Sequence, residues 1–128
     1  MERLSAYQPY ALAALRIIAA LLFIEHGTMK LFAVPAAQME GPLPPLLLAA
    51  ALIEVVGGLL VLIGLFTRPV AFILSGQMAV AYFMAHGSKA FWPALNGGEA
   101  AILFCFIFLF IFFAGPGALS VDQRKAAA

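Results

Sequence analysis

Long apolar runs alternate with short polar or proline-rich breaks along this chain, and four runs dominate, over residues 9–33, 46–66, 69–86 and 98–114. A helix crossing a bilayer needs about 20 mostly apolar residues, since roughly 30 Å of hydrocarbon is covered at about 1.5 Å per residue. The first two runs meet that length, and the last two lie near its lower limit. None of them alternates polar with apolar residues as a barrel strand would, so each predicts a helix. Phe104, Phe106, Phe108, Phe110 and Phe112 do recur at every second position, a spacing that a helix spreads around its circumference. The punctuation agrees. Pro9 and Pro69 open runs, Pro42, Pro44 and Pro45 precede another, and Pro35 and Gly115-Pro116-Gly117 follow run ends. The fold class expected is all-α, a polytopic membrane four-helix bundle forming one integral domain over residues 1–128. The first run is too long for the core of a cleaved leader and contains Arg16, so it is expected to remain as a span.

Composition supports a membrane location. Of 128 residues, 65% are hydrophobic and 10% charged, with a mean hydropathy of +1.06. A soluble domain carries about 25% charged residues, and this chain has too few to cover a water-facing surface. The net charge of +1 and the absence of any basic block speak against nucleic acid as a partner. The lone Cys105 excludes an internal disulfide or a dithiol redox pair.

Short connections predict antiparallel neighbours, and an even number of spans puts both termini on one side. Arg3, Arg68, Arg124 and Lys125 fall on that side, against Lys30 and Lys89 on the other. The positive-inside rule then places both termini in the cytoplasm. Two span ends also read alike. His26-Gly27 leads to Lys30, Phe32 and Pro35, and His86-Gly87 leads to Lys89, Phe91 and Pro93. That likeness suggests two tandem helical hairpins, although His, Gly and Pro also gather at span ends by chance. Tyr82, His86, Lys89 and Trp92 suit an interfacial belt.

Ionisable residues within a bilayer cost about 2.5–3.5 kcal/mol each on insertion scales and call for a reason. Arg16, Glu54 and Gln77 lie inside runs, and His26, Lys30 and Glu99 near run ends. At about 100° per residue, Lys30 falls about 40° and His26 about 80° from Arg16, so the three cations share a broad face. Glu54, Gly57, Gly58 and Val61 form a narrow stripe whose small residues admit a close neighbour. The expected arrangement docks the Arg16/His26/Lys30 face on the Glu54 stripe, with Gln77 and Glu99 added from the other hairpin. Each of these residues can equally serve as a structural pair or an interfacial anchor. Two histidines on different runs do not define a metal site, and none is expected.

Five ordered elements resemble the DoxX family of small membrane proteins. They are Leu15-Arg16 leading to His26-Gly27-x-x-Lys30; Glu54-Val55-Val56-Gly57-Gly58; Gly64-Leu65-Phe66-Thr67-Arg68; Asn96-Gly97-Gly98-Glu99; and Gly115-Pro116-Gly117-Ala118-Leu119-Ser120-Val121-Asp122. The resemblance implies a four-helix inner-membrane protein, related in architecture to quinone-linked vitamin K reductase-like bundles, though without their cysteine pairs. It carries over Arg16, His26, Lys30, Glu54, Arg68 and Glu99 without giving their roles. The function expected is a membrane component of a redox system that binds a quinone or anchors a soluble or membrane oxidoreductase. In that reading Arg16, His26 and Lys30 serve as donors to the quinone. The alternatives are a small-molecule permease and a structural partner subunit.

Overall fold

A computed structural model describes residues 1–128. The chain is helical throughout, in the order α1 (Glu2–Ser5), α2 (Gln8–Phe32), α3 (Pro45–Ile63), α4 (Thr67–Ala81), a π-helical turn (Tyr82–His86), α5 (Pro93–Asn96), α6 (Glu99–Ala114) and α7 (Val121–Ala127). Proline stands in the first turn of α2, α3 and α5, where its missing N–H costs no helical bond. The α3–α4 connection turns on Gly64, a left-handed cap at φ +70°.

Three helices are long and apolar enough to cross a membrane: α2, α3, and α4 continued by its π turn, with 25, 19 and 20 residues. These account for three of the four expected runs, and the fourth forms the shorter apolar helix α6. At 16 residues, α6 rises about 24 Å, less than the hydrocarbon thickness.

Packing is heaviest between α2 and α3 and between α4 and α6, weaker between α3 and α4, and slight between α2 and α6. The bundle is therefore two antiparallel hairpins joined mainly through α3 and α4. Glycines set the close approaches. A Cβ on Gly58 would lie 2.5 Å from the Ile24 side chain on α2, and one on Gly57 2.7 Å from Leu74 on α4. The small-residue stripe of α3 thus receives a different neighbour at each of two adjacent positions. Phe23, Phe104 and Phe108 form the aromatic centre of the core, with ring centroids 5.0–6.0 Å apart.

The two His-Gly segments lie at the same end of the bundle but in different local structures. His26, Gly27 and Lys30 belong to regular α2. His86 closes the π turn, and Lys89 is exposed in the loop beyond it.

Candidate functional site

The expected polar cluster divides into two sites at different depths. In the first, Lys30 donates to both carboxylate oxygens of Glu54, at 2.9 and 2.7 Å, and lies 3.5 Å from the His26 carbonyl. Gln77 on α4 donates to Glu54 Oε1 at 3.2 Å and to the Ala50 carbonyl at 3.3 Å, leaving its own buried Oε1 without a partner. Local geometry explains why Lys30 is the partner. Side chains lean toward a helix N-terminus, which here points Lys30 deeper into the bundle. A Cβ on Gly27 would lie 3.1 Å from that of Glu54, so the two helices meet at that height. This is the only salt bridge in the protein, and the side chains of both partners are nearly buried.

Arg16 is not part of that site. It is fully buried, about eleven residues, or roughly 16 Å, below the level of Gly27. Its guanidinium donates to the carbonyls of Pro116, Ala118 and Leu119. The C-terminal turn is fastened at further points. The Ala118 N–H donates to the Pro9 carbonyl and the Asp122 N–H to that of Gly64, while Ser120 packs on bare Gly64. The Asp122 carboxylate accepts the Phe66 and Thr67 N–H groups at 3.0 and 2.8 Å, capping α4. Arg68 donates to the carbonyls of Phe112 and Phe113. Three of the five motif elements therefore meet in one clasp at the end of the bundle that carries the termini. Burial raises the Asp122 pKa, but the two N–H donors and the nearby Lys125 charge outweigh it and leave the carboxyl below its ordinary value.

His26 lies beside the first site. Its Nδ1 is 2.8 Å from the Leu22 carbonyl, and since a carbonyl only accepts, Nδ1 carries the proton. Its ring meets Phe104 edge-on at 5.9 Å. Below it an apolar groove of about 240 Å³ runs along the α2–α6 seam, lined on α2 by Leu15, Ile18, Ala19 and Leu22 and bounded on α6 by residues including Leu103 and Phe104. His26 is one turn beyond Leu22 on α2, outside the lining itself, and touches it through Phe104. Glu99 is exposed at the start of α6 and pairs with nothing. Asn96 is the polar anchor of that region. It bonds the Tyr82 hydroxyl, the Ala90 carbonyl and the Gly98 N–H, and its carbonyl meets His86. The Asn-Gly-Gly spacing signals a turn but does not name these partners.

The quinone donors expected from the sequence are mostly engaged. All three Lys30 protons and both terminal nitrogens of Arg16 already have carbonyl or carboxylate partners. His26 is the exception. With Nδ1–H committed to Leu22, a neutral imidazole presents Nε2 as an acceptor, which suits a hydroxyl-bearing quinol rather than a quinone carbonyl.

Comparison with known proteins places these residues in a family. An uncharacterized protein of Haemophilus influenzae is 45% identical over 97% of both chains. The inner membrane protein YphA of Escherichia coli is 28% identical over 93% of both. No solved structure matches the chain. The family model described as DoxX matches residues 11–87, a segment that takes in Arg16, the Lys30–Glu54–Gln77 site, His26 and the α2 wall of the groove. With more than half of the chain matched and the site inside the match, this membrane protein belongs to the DoxX family.

Proposed function

We propose that the protein is an inner-membrane component of a redox system that holds a quinol-type lipid in the α2–α6 seam. The observation that carries this reading is the apolar groove of the α2–α6 seam with His26 packed on its Phe104 wall, which suits an isoprenoid tail in the groove and a hydroxyl-bearing ring near the imidazole. A bound quinol supplies two electrons and two protons. The chain's own part is to orient the ring beside His26 and Phe104, accept a hydrogen bond from one hydroxyl at His26 Nε2, and keep water from the seam. With a single thiol and no dithiol, it depends on a partner oxidoreductase to take the electrons.

Titrating a short-chain quinol into purified protein tests this. His26→Leu is expected to lower affinity about tenfold, the worth of one hydrogen bond at about 1.4 kcal/mol per decade. Ala100→Trp, at the exposed lip of the groove, blocks binding. If wild type binds no quinol, or if both variants bind as well as wild type, the reading fails.

The same proposal has the shorter α6 crossing the bilayer with α2, α3 and α4, and both termini in the cytoplasm. Support for the fourth crossing comes from α6 lying along the full length of α4. The two are tied by Arg68 at one end and by Ser75 donating to the Cys105 carbonyl in the middle, and just beyond the other end Asn96 of α5 bonds Tyr82 of the π turn. Support for the orientation is charge. Five cations and two anions (Glu2, Asp122) lie at the terminal end, against two cations (Lys30, Lys89) and four anions at the other. Alkaline phosphatase fused after Lys125 is expected to be inactive and a fluorescent protein bright there; active phosphatase overturns the orientation.

A further inference from the structure

The end of the bundle that carries the termini combines two unusual features. Phe66 and Leu119 are large apolar residues in left-handed backbone, at φ +50° and +54°, yet they are 58% and 67% exposed. Non-glycine residues rarely adopt this conformation, and it persists where surrounding structure holds it. Here the clasp does so. The Phe66 N–H is bound by Asp122, and the Leu119 carbonyl by Arg16. Both side chains are thereby turned outward from the bundle instead of into its core.

Exposed cations share this end of the bundle. Lys125 stands over the Phe66 ring at 5.4 Å from its centroid. Arg124, Arg68 and Arg3 are exposed at the same end. Of the two acids there, Asp122 is engaged by backbone N–H groups, so the cations have little internal compensation. The opposite end carries an excess of acids and no comparable set.

We infer that this rim is a docking site for an anionic phospholipid. The phosphate would sit among Arg68, Arg124 and Lys125, and the upper acyl chains against Phe66 and Leu119. Charge complementarity selects the headgroup, because each Lys or Arg near an anionic surface adds an attraction that is lost when salt is raised. The apolar pair selects a lipid over a free phosphate ion. This inference rests on a different part of the molecule from the quinol seam, and either can fail alone.

The test is native mass spectrometry of the full-length protein released from micelles holding equal amounts of phosphatidylglycerol and phosphatidylcholine. Wild type is expected to retain phosphatidylglycerol preferentially, and added inorganic phosphate should not displace it. Arg124→Gln/Lys125→Gln, which alters exposed side chains outside the hydrogen bonds of the clasp, should cut that preference about tenfold or more. Lys89→Gln, at the other end, should leave it intact. Phe66→Asn tolerates the left-handed backbone and keeps the N–H bound by Asp122. It should lower lipid retention while holding or raising thermal stability, which a purely structural Phe66 would not do. Equal retention of the two lipids, an unchanged preference in the double variant, or displacement by phosphate would overturn the proposal.

Discussion

Arg16→Leu lowers the stability of the detergent-solubilised protein by about 3 kcal/mol or more. The change leaves three carbonyls, those of Pro116, Ala118 and Leu119, without their donor, and each buried polar group left unpaired costs about 1–3 kcal/mol. Removing the guanidinium also removes its own desolvation, which keeps the net loss below the sum. Arg16→Lys retains the charge but not the forked geometry that reaches several carbonyls, and should fall between the two. A neutral or stabilising Arg16→Leu would show that the clasp does not hold the bundle. Asp122→Asn gives an independent reading through pH. The Asp122 carboxyl titrates below its ordinary value, so its stabilisation is complete above the ordinary carboxylate range. It is lost as pH falls through the lowered value. The stability gap between wild type and Asp122→Asn should therefore be widest near neutrality and close in acid.

Glu54→Leu is the second large effect. Removing one partner of a buried pair typically costs about 3–5 kcal/mol, because a charge is left stranded. Lys30 then has only the His26 carbonyl, at 3.5 Å, and Gln77 loses an acceptor. The double change Lys30→Met/Glu54→Leu removes both charges and should recover much of that loss. Arg16→Leu/Glu54→Leu should instead show two simply additive losses, since the residues share no partner. Thermal unfolding in one detergent, compared across the two double-mutant cycles, decides the pairing. Additivity for Lys30 with Glu54 would overturn the assignment.

The helices were largely legible because apolar runs bounded by proline and glycine leave few other structures in lipid. Length was legible too. The fourth run reads as a short one ending at Gly115-Pro116-Gly117, and α6 has 16 residues between Gly98 and Gly115. The partner of Glu54 was only half legible. A helical wheel gives the face of a residue but not its depth, and Arg16, His26 and Lys30 share a face. Depth was available from another signal: α2 and α3 are antiparallel, so residues at equal distance from their connecting loop meet. That rule sets Glu54, nine residues into α3, about level with Phe23, where a Lys30 side chain leaning back toward the N-terminus can reach it, and leaves Arg16 about two turns below. The true partners of Arg16 were not legible, because they are backbone carbonyls in an irregular turn, and carbonyls have no sequence signature. Glu99 stood in a well-marked motif, but its side chain is exposed, and the organising residue there is Asn96.

The clasp has a consequence for how the protein is made. Arg16 and its acceptors are separated by 100 to 103 residues, whereas Lys30 and Glu54 are 24 apart. Synthesis runs from the N-terminus, so the first hairpin emerges with its own ion pair ready to close. Arg16 emerges with nothing in the finished protein yet able to satisfy it. Until residues 116–119 are made, its guanidinium must be served by water or lipid headgroups, which are found near the membrane surface. The turn at residues 116–119 can therefore close around Arg16 only after α2, α3, α4 and α6 have all been made.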